Sequence, residues 1–301
     1  MKKIISLLLA AVLLTGTVFS LASCNGGTAT KYVAMDATDL ITEDFGIAVK
    51  KGNTTLMNAV NEVVEAWVAD GTMQKYLDYY TALDEYEKGI EGATMPEANG
   101  LKLNWDFGNA TEVITVYTES GFAPFEFVSN GKIIGVDIAI MNEVAVNMGK
   151  KIVIEDVAFD TIPLSVNTST GDAVGAAGLT INDERKEMVD FSSIYFSSTL
   201  VVISAEDKKI SSVADLAGLR VGVQQGTSGD LIISAAASDD GYVYTYEDDN
   251  EEEVSVTVKA PGATPKRYQQ YALVLADLKA GRIDAILMDK LPAQTMLALE
   301  D

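Results

Sequence analysis

Arg185 closes the run Gly178-Leu179-Thr180-Ile181-Asn182-Asp183-Glu184-Arg185. A guanidinium presents two parallel N–H donors to a carboxylate, where a lysine would be only a point charge. Read alone, an arginine after two acids is most often a surface residue at a helix start, with Asn182 as its cap. Gly226-Thr227-Ser228 follows a strand-like run at 219–223 and precedes a short helical pattern. Backbone N–H groups at such a start attract an anion. Asp289 comes just after a second strand-like run, 285–288, where a carboxylate is placed to line a cleft.

Composition removes several chemistries. The 301-residue chain has no histidine and one cysteine, which excludes an imidazole base, the commonest metal ligand and thiolate metal clusters. The acidic run at 247–253 lacks the glycine and the alternating spacing of an EF-hand loop and reads as a solvated loop. No metal or cofactor is expected. A formal net charge of −22 argues against a nucleic-acid partner, which needs clustered Lys and Arg.

The chain begins with Lys2 and Lys3, an apolar run over 4–14 and small residues at Leu21-Ala22-Ser23. This is the layout of a secretory signal over 1–23, with an apolar run short for a membrane span. Cys24 follows directly and resembles the lipobox cysteine that is acylated in bacterial lipoproteins. A lone cysteine in an exported chain needs an explanation, and lipidation at Cys24 supplies one. The expected location is extracytoplasmic, anchored to the bacterial cell membrane.

The remaining length suits two domains of roughly 100 to 150 residues. Strand-like runs at 113–117, 151–157, 201–204, 219–223, 254–259 and 285–288 alternate with helical patterns, which gives an α/β fold class. One helix follows Asn53, with Leu56, Val60, Val63, Val64 and Trp67 on one face and Gly71 at its end; others are expected over 137–148 and 268–279. Residues 83–111 are acidic, Gly-rich and weakly periodic, and read as a surface connector.

The segments at 118–145, 159–204, 213–230 and 277–293, together with 32–80, resemble the polar amino-acid-binding proteins of ABC importers, the bacterial extracellular solute-binding proteins of family 3. The order differs from the family's: residues 44–80 read as its closing strand and helices, yet precede residues 113–127, which read as its opening. The resemblance therefore implies a two-lobed clamp of the type II periplasmic-binding-protein kind, circularly permuted, with two hinge crossings near 38–44 and 203–207. It assigns 24–40 and 206–301 to one lobe, 41–82 and 112–205 to the other, and 83–111 to the join between the family's usual termini. Residues 31 and 301 are expected to lie close together.

By the same resemblance Arg185 grips a ligand α-carboxylate with help from Thr180, and Thr227 and Ser228 complete that pocket from the other lobe. Asp289 pairs with the ligand ammonium, Glu119 and Phe122 face the cleft, and Phe159 covers the opposite face of the ligand side chain. Phe125 and Phe127 read as core. Ala177 and Gly178 depart from relatives that carry a hydroxyl beside this position, which leaves the polarity of the ligand side chain open. The implied function is capture of an α-amino acid by lobe closure and delivery to a membrane permease, by a monomer without catalysis. A cyclohexadienyl dehydratase-like enzyme on the same fold is the alternative, with Glu119 the obvious candidate for its acid. Trp67 and Trp105 are expected to lie away from the cleft.

Overall fold

The computed structural model describes residues 30–40, 42–247 and 252–297. The leader, Cys24, residue 301 and most of the acidic run (248–251) lie outside the described residues, so the expectations placed on them are not addressed by the fold.

Strands β1 (Tyr32–Asp36), β2 (Glu43–Phe45) and β3 (Ala48–Lys50) lead into helices α1 (Thr54–Ala69) and α2 (Thr72–Glu87). Asn53 caps α1 by accepting from Leu56 N at 3.2 Å, and Leu56, Val60, Val63 and Val64 form its buried stripe. Gly71, at φ 77°, takes the left-handed conformation that ends one helix and starts the next. After the connector come β4 (Val113–Thr118), β5 (Gly121–Phe122), β6 (Glu126–Ser129), β7 (Lys132–Ile134) and α3 (Val136–Asn147). Then follow β8 (Lys151–Asp156), α4 (Ile162–Thr168), β9 (Asp172–Gly175), α5 (Asp183–Met188), β10 (Val189–Phe191), β11 (Phe196–Ser198) and β12 (Leu200–Ala205). The remainder is β13 (Arg220–Gln224), α6 (Ser228–Ala236), β14 (Tyr242–Glu247), β15 (Glu253–Val258), β16 (Thr264–Tyr268), α7 (Tyr271–Lys279), β17 (Ala285–Asp289) and α8 (Lys290–Leu297).

Two mixed five-stranded sheets organise these elements, in the orders β10-β3-β9-β4-β8 and β1-β12-β17-β13-β16. In the first, β4 runs parallel to both β8 and β9; in the second, β13 runs parallel to β16 and β17. Every residue of β17 is buried, as a continuous apolar strand covered on both faces must be. Between the sheets β2 and β11 pair antiparallel, with Glu43 opposite Ser198 and Phe45 opposite Phe196. Along the chain β2 links β1 to β3 and β11 links β10 to β12, so both crossings run through one ribbon.

The structure corrects several expectations. Residues 200–205 pair with β1 and β17, so the boundary expected at 205 moves to about Thr199, and the crossing expected at 203–207 lies instead at β11. The connector starts later than 83: α2 continues to Glu87, with Leu83 and Asp84 buried. Residues 264–268 form a strand, and the following helix begins at Tyr271 rather than 268. Residues 242–247, for which no strand was expected, form β14 and pair with β15 at the strand-like run 254–259, with Tyr242 opposite Val258 and Glu247 opposite Glu253. Phe125 and Phe127 are core, and Trp67 stacks on Tyr76 at 4.6 Å while Trp105 donates to Glu143 at 2.9 Å, both apart from the site below. Helix α8 packs against β1.

Candidate functional site

The C-terminal ends of β13 and β17, the start of α6 and the loop from β9 to α5 converge on one cavity. It is lined by Phe122, Phe159, Gly178, Thr180, Thr227, Ser228 and Asp289, all expected from sequence, and by Gln224, which was not. Gln224 ends β13 two residues before Gly226, a strand-end position that could have flagged it.

Arg185, on α5, sits behind this lining and is buried. It donates to Thr180 O at 2.7 Å and to Gly226 O at 3.0 Å, so its guanidinium spans elements attached to different sheets. The Phe159 ring lies 5.2 Å from its Cζ, within cation–π range. Burial pulls its pKa down to about 10, opposed by Glu43, Glu184 and Asp289, and it stays protonated at neutral pH. The cap expected at Asn182 is present: its side chain accepts from Arg185 N at 2.8 Å.

Thr227 caps α6, accepting from Asp230 N at 3.4 Å while its hydroxyl donates to Gln224 O at 2.8 Å. That leaves Ser228 as the first residue of a nine-residue helix, at its positive end. Ser228 Oγ donates to Thr180 Oγ1 at 2.9 Å, and Thr180 Oγ1 donates to Glu43 Oε2 at 3.3 Å. Asp289 is buried with Oδ1 unpartnered. Burial raises its pKa to about 6 against the opposing pull of the Ser198 hydroxyl and Arg185.

Gly178 is tied down by Asp137, whose Oδ2 accepts from Gly178 N at 3.0 Å and from Tyr195 Oη at 2.9 Å. Its φ of 54° and a Cβ position 2.7 Å from Phe122 Cε1 explain why no side chain stands there. Phe122 in turn stacks on Tyr271 of α7, centroids 6.3 Å apart. Glu119 lies off the lining, its oxygens accepting from Gln224 Nε2 at 2.9 Å and Gln270 Nε2 at 3.3 Å. Burial raises its pKa, and Asp156 adds to the negative field.

Besides Gln224, three elements of the site were not read from sequence. Glu43, Gln270 and the Asp137–Tyr195 pair become neighbours only through the β2–β11 ribbon and the contact of α7 with the β4 half; no local pattern marks them. Among the described residues, no group of three or more His, Cys, Asp or Glu side chains is placed to hold a metal.

The family described as bacterial extracellular solute-binding proteins, family 3, matches residues 114–289. The probable histidine-binding protein of Neisseria gonorrhoeae is 31% identical over 185 residues, which are 60% of this chain and 60% of that protein. The ABC transporter arginine-binding protein 1 of Escherichia coli (strain K12) is 29% identical over 191 residues, 63% of this chain and 68% of that one. The chain thus spans 60% of the first of these relatives. Among solved structures, the holo form of ArgBP from T. maritima aligns with a TM-score of 0.52 and 31% identity, covering 62% of this chain and 74% of that chain. The family match begins in β4 and ends with β17, leaving β1 through α2 outside it.

Proposed function

The chain belongs to the bacterial extracellular solute-binding proteins, family 3, and from that premise we propose that it captures an α-amino acid with a cationic side chain and delivers it to an ABC permease. The observation that carries this reading is Asp289 in the lining of a cavity whose Thr180 side is backed by Arg185, which holds Thr180 O and Gly226 O. Arg185, Thr180, Thr227 and Ser228 receive the ligand carboxylate, Asp289 receives the ammonium, and Phe122 and Phe159 hold the side chain between rings. Glu119, with Asp156 beside it, faces the distal charge through Gln224 and Gln270. Relatives named for histidine and arginine agree with that preference.

Because each end of the ligand is held by a different half, the arrangement in which both halves contact it is favoured, and β2 and β11 serve as the hinge. Contacts such as Arg185 to Gly226 O and Gln225 Nε2 to Asp160 Oδ2 at 2.7 Å already join the halves across the cleft. The protein works as a monomer without catalysis. A dehydratase would need an acid ready to donate, whereas the Glu119 oxygens accept from two amide groups, which suits a fixed acceptor. Acylation at Cys24 would tether it to the membrane. Isothermal titration against the twenty amino acids tests the reading: arginine, lysine or histidine should bind tightest, and Glu119→Gln should shrink their advantage over neutral ligands by about tenfold. A neutral or acidic amino acid binding best would overturn the cationic preference.

The order of elements is circularly permuted in this proposal. It is supported by β3, α1 and α2 completing the β4 half from upstream, and by α8 packing on β1. A rearranged chain that starts at residue 112, joins α8 to β1 by a short linker and stops after α2 should bind the same ligand within about threefold. Failure of that chain to fold would count against permutation.

A further inference from the structure

Thr180 and Ser228 form the wall between two cavities. One is the lining around Asp289; the other is a larger cavity of about 720 Å³ on the hinge side, which Glu43 also lines. The hydroxyl chain through that wall runs Ser228 Oγ to Thr180 Oγ1 to Glu43 Oε2, at 2.9 and 3.3 Å. In this direction both hydroxyl protons point towards Glu43, and the oxygens offer lone pairs to the side where a ligand carboxylate would sit. A carboxylate needs donors there, not acceptors. The same oxygen positions support the opposite direction once both hydroxyls rotate and Glu43 gains a proton, with no heavy atom moved: Glu43 Oε2–H to Thr180 Oγ1, Thr180 Oγ1–H to Ser228 Oγ, and Ser228 Oγ–H to the ligand.

We propose that Glu43, Thr180 and Ser228 form a reversible hydroxyl relay that holds the ligand carboxylate with Glu43 protonated, so that capture takes up a proton from solvent wherever Glu43 is ionised in the free protein. Glu43 is then a positioning residue, acting through Thr180 and Ser228. The inference rests on the amino-acid reading above. The charge balance favours it: Arg185 and the ligand ammonium are two positive charges against three carboxylates, Glu43, Asp289 and the ligand's own, and adjacent carboxylates do not all stay ionised in a buried site.

The groups that face Glu43 agree. Asp289 from β17 raises its pKa, while Arg185 from α5 and the Ser228 and Thr180 hydroxyls lower it. Tyr271 of α7 and Tyr242 of β14 feel its charge. Asp44, Asp183, Glu184 and Lys186 share the larger cavity, through which the proton enters. Burial outweighs the favourable partners and pushes Glu43 up to about 8.

Glu43→Gln, whose amide donates permanently to Thr180, separates the outcomes. Arginine or lysine titrated in two buffers of different ionisation enthalpy at pH 9 should show proton uptake by Glu43 near one in the parent, and total uptake lower by about that amount in Glu43→Gln. The ligand's own amine titration is common to both proteins and cancels in the comparison. Between pH 7 and 9 parent affinity should fall about tenfold more than that of Glu43→Gln, one pH unit beyond the midpoint being a factor of ten. Ser228→Ala, which breaks the relay at its ligand end, should bind more weakly and lose most of the uptake.

A second readout needs no ligand. An acid whose folded pKa is raised contributes stability below its ordinary pKa that is lost as pH rises through the folded value. The melting temperature of Glu43→Gln relative to the parent should therefore climb from pH 5 to pH 9. Equal proton uptake and parallel pH profiles in parent and Glu43→Gln would overturn the relay while leaving the amino-acid reading intact. Loss of cationic ligands by Glu43→Gln at every pH would overturn it too, by showing an ionised Glu43 bound to the ligand's positive charge. If no amino acid binds the parent, the functional reading falls and the relay with it.

Discussion

The two charged ends of the cleft are built differently. Arg185 is buried yet engaged: its nitrogens hold Thr180 O and Gly226 O, and the Phe159 face lies over its guanidinium. Asp289 is equally buried, but one of its oxygens has no partner. The cationic end is therefore part of the framework, because removing it strands two carbonyls from different halves. The anionic end is strained by its burial and gains from whatever cation arrives. A site arranged this way places its structural role on one charge and its unmet demand on the other.

The sharpest way to break that contrast is Arg185→Ala. It should lower ligand affinity at least about 100-fold, since truncating one member of a buried, hydrogen-bonded charge pair costs about 2 to 5 kcal/mol. Because the carbonyls of Thr180 and Gly226 also lose their donor, the ligand-free protein should melt at a lower temperature as well. Arg185→Lys keeps the charge but cannot hold both carbonyls and present a planar fork, so it should recover stability more than affinity. Titration calorimetry with thermal melts of the same samples checks both. An Arg185→Ala protein that bound and melted like the parent would remove the carboxylate seat from this position.

What the sequence made legible, and what it hid, follows from range. The strands over 113–118, 151–156, 220–224 and 285–289 are alternating or continuous apolar runs, and the helix after Asn53 carries its cap and stripe within a few residues. The motifs around Arg185, Ser228 and Asp289 each sit at a strand end or helix start, so local reading could find them. The boundary near Thr199 was hidden because residues 196–205 look like one strand; only a change of partner, from β2 to β1 and β17, divides them. The hairpin at 242–258 does alternate in sequence, but the intervening acids drew it towards a loop reading. Glu43 was invisible for the same reason as the boundary. Nothing near it in the chain predicts that ribbon pairing will bring it to Thr180.

Asp289→Asn should have the smaller effect on binding and the opposite effect on stability. Losing the counter-charge to an ammonium while keeping a hydrogen-bonding amide should weaken binding by about 10- to 100-fold, the range for a hydrogen bond to a charged group. For the folded protein the sign reverses. Burial raises the Asp289 pKa to about 6, above the ordinary 3.8, so its contribution is fully present below pH 3.8 and is lost as pH rises through 6. At pH 7 the parent holds an ionised, half-satisfied carboxylate that asparagine does not have to charge. The melting temperature of Asp289→Asn without ligand should therefore exceed the parent's at pH 7 and approach it near pH 4. Adding ligand should raise the parent's melting temperature more than the variant's, because stabilisation scales with affinity. If Asp289→Asn instead melted lower at pH 7, the unpartnered oxygen would be serving the framework as Arg185 does, and the division between a structural cation and an unmet anion would not stand.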